Sequence, residues 1–189
     1  MKEMCVRITY TEPLLGTASA NKELHSDYIA SKAPDAPSRE EEVASIGVEA
    51  AEVKGMTVFP RFTKDDEAMN PENVSGSPFT FDYAWKGFFK ESCGMLRRGT
   101  GFKSTKLTSY KKVIDGLVFV RPRKIRLVLP EGQSIGELQR PLRASTPQGE
   151  RVALAHSETV PAGTTQLLRL KLLRDDLEGY VREWLDYDD

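Results

Sequence analysis

The sequence predicts an α+β fold in which an antiparallel sheet is covered on one face by helices. Leu168, Leu170 and Leu172 alternate with Arg169 and Lys171, the period-two pattern of a half-buried strand. Trp85, Phe88, Phe89, Cys93 and Leu96 recur at helical spacing, as do Leu177, Tyr180, Val181, Trp184 and Leu185, so two helices each carry one apolar stripe. Strand-like and helix-like segments also mix irregularly, with hairpin signals late in the chain, unlike the regular alternation of a parallel α/β fold.

In chain order, Met4, Val6, Ile8 and Tyr10 alternate with Cys5, Arg7 and Thr9, which predicts a strand over 4–11 that Pro13 ends. Leu14 to Ala20 reads as a small-residue loop. Short helices are expected at 21–31, with Leu24, Tyr28 and Ile29 inward, and from a Ser38/Glu41 capping box to Ile46, closed by Gly47. Residues 55–60 are a candidate strand. The stretch 63–77 is acidic, contains Asn70-Pro71 and Ser75-Gly76-Ser77, and has no periodicity, which predicts a solvated loop or insertion.

Phe79, Phe81 and Tyr83 fall on one face of an extended segment, and Asp82 is the candidate N-cap of a helix over 84–98. At about 100° per residue, Lys86, Lys90, Gly94 and Arg97 line a second stripe on that helix with no apolar side chain. Such a stripe is either a cationic face, low at Gly94 where a phosphate backbone could approach, or a solvated face whose glycine admits another protein element. Gly99 to Ser104 is a glycine-rich basic turn, either a helix C-cap with a loop or a phosphate-contacting loop. It lacks GxxxxGK[ST] spacing, so nucleotide hydrolysis is not supported.

Ser104 is expected to cap a helix holding Leu107, Tyr110, Val113 and Ile114, with Asp115-Gly116 as a turn. Strands are expected at 117–120 and 125–129, on either side of Arg121-Pro122-Arg123-Lys124. Two short extended pieces flank Pro147-Gln148-Gly149, a strand runs over 165–173, and a helix over 176–186 leads to an acidic tail.

Composition narrows the function. With 189 residues, 39% of them hydrophobic, the chain is long enough for one well-buried domain over 1–189. No run of about 18 apolar residues is present, so no membrane span or membrane partner is expected. The N-terminus lacks the apolar core of a secretory signal, which points to a cytoplasmic setting. Cys5 and Cys93 are too few for a disulfide scaffold or zinc site and read as buried thiols. No HExxH or CxxC array occurs, and His25 and His156 fit no catalytic motif, so neither an enzyme nor a metal or cofactor is predicted.

The net charge of −1 conceals a segregation. Residues 1–85 hold 8 Lys/Arg against 15 Asp/Glu, residues 86–143 hold 14 against 4, and residues 144–189 hold 5 against 9. A block with net +10 inside an acidic chain favours a polyanion or an acidic protein as partner. The candidate binding residues are Lys86, Lys90, Arg97, Arg98, Lys103, Lys106, Lys111, Lys112, Arg121, Arg123 and Lys124. Tyr110, Phe102 and Phe119 are candidate stacking partners for bases.

The run Trp85-Lys86-Gly87-Phe88-Phe89-Lys90-Glu91-Ser92-Cys93-Gly94-Met95-Leu96-Arg97-Arg98, following a strand, resembles the conserved helix of the RAMP superfamily, the RRM-like proteins of CRISPR effector complexes. Lys86-Gly87 and Arg97 would occupy that motif's Lys-Gly and Arg places. Glu158-Thr159-Val160-Pro161-Ala162-Gly163-Thr164, ahead of a strand, is similar to the superfamily's E-x-[LV]-P-x-G-[TS] stretch. Two departures stand out: Tyr83 and Trp85 replace small residues in the turn, and the usual glycine-rich loop does not follow the closing helix. The resemblance covers about 78–185 and implies an RRM/ferredoxin-like (RAMP-like) core with insertions, in a divergent solitary or phage-borne relative. It implies a non-catalytic module binding RNA or single-stranded nucleic acid. The alternative is an anti-defence (anti-CRISPR-type) protein that blocks a host nucleic-acid effector complex, as the acidic N-terminal region and the missing loop would suit.

Overall fold

The computed structural model describes residues 1–20, 56–146 and 149–186. The helices expected at 21–31 and 38–46, with His25, and the acidic tail at 187–189 lie outside the described residues. The strands in order are β1 (Lys2–Thr9), β2 (Leu14–Leu15), β3 (Ala18–Ser19), β4 (Met56–Val58), β5 (Phe79–Phe81), β6 (Val118–Arg121), β7 (Lys124–Arg126), β8 (Gly136–Thr146), β9 (Gly149–Val160) and β10 (Thr165–Leu172). The described α-helices are α1 (Lys64–Met69), α2 (Asp82–Leu96), α3 (Tyr110–Leu117) and α4 (Leu177–Leu185). The fold is α+β with antiparallel sheets; within one of them β4 pairs parallel with β9. The chain divides into two compact units, Met1–Ile8 with Thr80–Ile125 and Gln166–Asp189, and Thr9–Phe79 with Arg126–Thr165.

The first unit is built on a three-stranded sheet in the order β1-β10-β6. On β10 the alternation holds: Leu168, Leu170 and Leu172 are fully buried, while Leu167 and Arg169 are exposed and Lys171 is half-buried. Val118 and Val120 of β6 and the half-buried Met4, Val6 and Ile8 of β1 share the core-facing side. Helix α2 packs against β6, α3 and α4. Its Trp85, Phe89, Cys93 and Leu96 are buried, and the Phe89 ring lies 5.9 Å from Trp184 of α4. Leu177, Val181 and Trp184 of α4 are fully buried, as their spacing requires.

Several local expectations change. Cys5 is exposed, because an odd position on β1 points away from the core, whereas Cys93 is buried. Phe81, not Asp82, stands at the N-cap of α2, and Asp82 is its first helical residue. Leu107 falls outside the helix expected from Ser104: a 3-10 turn at Lys103–Lys106 precedes α3, which runs through Asp115-Gly116 to Leu117. Ser104 does not cap that helix, whose N-cap position is Ser109; its hydroxyl bonds Glu183 and Trp184 of α4 instead. The strand expected at 125–129 shrinks to β7, with Val128 forming an isolated bridge to Thr165.

The second unit holds a five-stranded sheet in which β2, β9, β4 and β3 are neighbours and β8 pairs with β9. The loop expected at 14–20 instead holds β2 and β3, separated by Gly16-Thr17. A Cβ at Gly16 would lie 2.6 Å from the Val58 carbonyl carbon, so only glycine lets these backbones approach. The two short pieces expected around Pro147 form one long hairpin, with Gly136 opposite Thr159 and Thr146 opposite Gly149. The acidic stretch 63–77 contains α1, started by a capping box: Asp66 N–H donates to Thr63 Oγ1 at 3.2 Å and Thr63 N–H to Asp66 Oδ2 at 2.8 Å. Aspartate in place of the usual Glu/Gln hid that signal. Phe59, Leu127 and Val160 form a core here with Tyr10, Leu14, Leu129 and Ile135 packed on it.

Candidate nucleic-acid interface

The basic block does not form one surface. Lys86 Nζ donates to the Asp115 carbonyl at 3.2 Å, and Lys90 Nζ pairs with the Asp115 carboxylate at 2.5 Å. Both lysines thereby tie α2 to the C-terminal end of α3, where free carbonyls attract cations. The Arg97 guanidinium donates to the Leu107 carbonyl and lies 5.2 Å from the Tyr110 ring centroid. Gly94 belongs to the same seam, since a Cβ there would meet Tyr110 Oη at 3.0 Å. The helix stripe is an α2–α3 contact, and its glycine admits a tyrosine of this chain.

The glycine-rich turn is likewise engaged from within. Glu183 Oε1 accepts from the Lys103 N–H at 2.5 Å, and its Oε2 accepts from the Ser104 N–H at 2.9 Å and hydroxyl at 2.5 Å. Ser104 Oγ in turn accepts from the Trp184 indole N–H at 2.9 Å. Burial pushes the Glu183 carboxyl up, but the Ser104 and Lys103 donors and the Lys103 charge outweigh it and hold the group below the usual carboxylate range. The donors that a phosphate would use are thus occupied by a carboxylate. Arg98, Lys106, Lys111 and Lys112 remain exposed around this turn, beside the 40% exposed Phe102 ring, and the Lys103 side chain, itself exposed, lies over Gly179.

Arg123 stands 5.4 Å from the Phe81 ring centroid and 3.8 Å from Asp82 Oδ1. Burial raises the pKa of Asp82 despite Arg123, the Tyr83 N–H and Lys86. Lys124 is half-buried on β7.

Arg121 is placed differently. It is exposed on the side of the β1-β10-β6 sheet opposite Val118 and Val120, and the antiparallel register sets it directly across from Arg169. The next residue on the same face, Phe119, lies across from Lys171. Arg7 and Cys5 of β1 and Leu167 of β10 share this open face by alternation, with Glu3 as its acidic member. Like charges directly opposite on adjacent strands destabilise a sheet, and among the described residues no carboxylate is in ion-pair range of Arg121 or Arg169. Two arginines set opposite each other in register suit an anion, since each guanidinium fork can donate two hydrogen bonds to a phosphate. The half-buried Phe119 ring supplies an aromatic surface beside them, and Lys86 Nζ reaches to 5.1 Å from its centroid.

Of the sequence-predicted cations, therefore, Arg121 lies on this face and Lys86 touches its aromatic. Arg169 and Lys171 read in sequence as the polar half of a strand; the signal for their role is a basic alternation inside a central strand.

The Glu158–Thr164 stretch has local tasks. Glu158 accepts from the Phe59 N–H at 2.8 Å and pairs with Arg61 at 2.5 Å; Val160 is fully buried, and Gly163 takes the turn at φ +85°. His156 Nδ1 lies 3.0 Å from Glu137 Oε1 across the β8–β9 hairpin. Among the described residues, no group of three or more His, Cys, Asp and Glu could hold a metal, and no helix is long and apolar enough to cross a membrane. No protein-family model matches the chain, and no curated protein is significantly similar to it.

Proposed function

We propose that this chain is a non-catalytic module that binds single-stranded nucleic acid, RNA foremost, on the open face of the β1-β10-β6 sheet. The observation that carries the reading is the exposed Arg121–Arg169 pair, whose repulsion a bound phosphate would relieve. Phe119 beside Lys171 supports it, because aromatic stacking next to a cationic groove is the general way of holding unpaired bases. An RRM-like arrangement, as in the RAMP superfamily, is the fold reading that accompanies this function. Arg98, Lys103, Lys106, Lys111 and Lys112 would add long-range attraction without setting the site.

The test is fluorescence anisotropy with a labelled single-stranded RNA across a salt series. Affinity should fall with salt at a slope of about −0.7 per neutralised phosphate, and Arg121→Glu with Arg169→Glu should remove binding. Charge reversal at Lys106, Lys111 and Lys112 should weaken it less. The RNA should remain uncut with or without a divalent metal. RNA affinity unchanged in the Arg121/Arg169 variant would overturn the assignment of this face, and cleavage lost in His156→Ala would overturn the non-catalytic reading. If that Arg variant keeps its RNA affinity but no longer captures a host nucleic-acid effector complex, the face serves protein recognition.

A further inference from the structure

We propose that the outer edge of β1 pairs antiparallel with the same edge of a second copy of this chain, forming a two-fold dimer with a continuous six-stranded sheet. The observations are independent of the nucleic-acid reading. In the sheet order β1-β10-β6, β1 is an eight-residue edge strand, and among the described residues only β10 pairs with it. An unpaired edge of this length is a template for another strand unless it is blunted. Beside it runs a groove of about 690 Å³, lined by the run Lys2–Ile8 and by Glu178, Arg182 and Leu185 of α4. Its α4 wall is ordered by Lys2, which pairs with Glu178, and by Arg182, 2.9 Å from the same carboxylate.

The strand's own sequence selects the partner. A two-fold axis maps residue i onto j and j onto i. With the axis at Cys5, Glu3 falls opposite Arg7 of the other copy and Arg7 opposite its Glu3, two ion pairs on the open face. On the core-facing side, Met4 falls opposite Val6 and Val6 opposite Met4, burying side chains that are only half-buried in one copy. Cys5, exposed in one chain, then stands next to its own image. Residues facing each other in antiparallel strands have Cα atoms about 4.5–5.5 Å apart, within the span a disulfide bridges. Moving the register by two residues, so that the axis falls at Met4 or Val6, loses the Glu3–Arg7 pairing.

The experiment is sedimentation velocity with the full chain over a concentration series, together with cross-linking. The wild type should show a monomer–dimer equilibrium. Diamide, which takes up the two electrons and two protons released by two thiols, should trap the dimer through Cys5, and Cys5→Ser should abolish trapping while Cys93 stays buried. Glu3→Arg and Arg7→Glu should each be monomeric. Mixed together they should form a heterodimer, because every opposed pair is then of opposite charge, and the double variant Glu3→Arg/Arg7→Glu should dimerise again. Recovery in the mixture separates a lost interface from a damaged fold. A wild type that stays monomeric at its highest soluble concentration overturns the proposal, as does a dimer that persists in both single variants.

Discussion

Arg121 and Arg169 are directly opposed across β6 and β10, both exposed, with no carboxylate among the described residues in ion-pair range of either. Sheets ordinarily place opposite charges or a neutral residue at such a pair. Under the proposed function, stability and binding therefore pull in different directions here. Arg169→Glu should raise stability by about 0.2–1 kcal/mol, since it turns a repulsive pair into an attractive one. The same change should weaken RNA binding. Thermal melts and RNA titration of one variant measure both effects, and a loss of stability would show that the pair is not repulsive.

Trp184 combines a large buried ring with a buried hydrogen bond in the first unit. Its ring is fully buried against Phe89, and its indole N–H donates to Ser104 Oγ, which Glu183 also binds. Trp184→Ala should cost about 3–5 kcal/mol. Trp184→Phe keeps much of the volume but leaves the Ser104 hydroxyl one donor short, and should cost about 1–3 kcal/mol. Urea denaturation of both variants checks the order.

Two carboxylates make opposite contributions to the pH dependence. Glu183 has its pKa lowered in the folded chain, where the Ser104 and Lys103 donors overcome the burial that pushes it up. The stability it contributes is present above the ordinary carboxylate pKa and is lost as pH falls through the lower folded value. Glu183→Gln should therefore destabilise at neutral pH and lose that difference in acid. Asp82 is raised, by burial first, so the folded chain holds its proton more tightly than the unfolded one. Stability falls as pH rises from the ordinary value through the raised one. Asp82→Asn should melt no lower than wild type at neutral pH. Melting temperatures from acid to neutral pH separate the two.

Gly87 and Gly94 lie in the same helix in different surroundings. A Cβ at Gly87 meets nothing within 4 Å, whereas at Gly94 it meets Tyr110 Oη at 3.0 Å. Gly87→Ala should stabilise by about 0.8–1 kcal/mol, the helix-propensity difference. Gly94→Ala should forfeit that gain, because the Tyr110 ring must give way. Equal shifts in melting temperature would contradict the seam between α2 and α3.

Burial was largely written in local sequence. The alternation of Leu168, Leu170 and Leu172 and the centres of the α2 and α4 stripes are buried as read, with Phe88, Tyr180 and Leu185 half-buried, because which face of a strand or helix is apolar depends only on its own period. The helix α1 has little sequence signal, because its start rests on a short aspartate capping box without an apolar run behind it. The fate of the cations was not local. Lys86, Lys90 and Arg97 do share a helix face, but only the packing of α3 decides that this face meets Asp115, Leu107 and Tyr110. Arg121 and Arg169 are distant in the chain and become neighbours only through the register of β6 on β10. Periodicity belongs to one segment, whereas a charge's partner is set by a second segment, and only tertiary structure brings the two together.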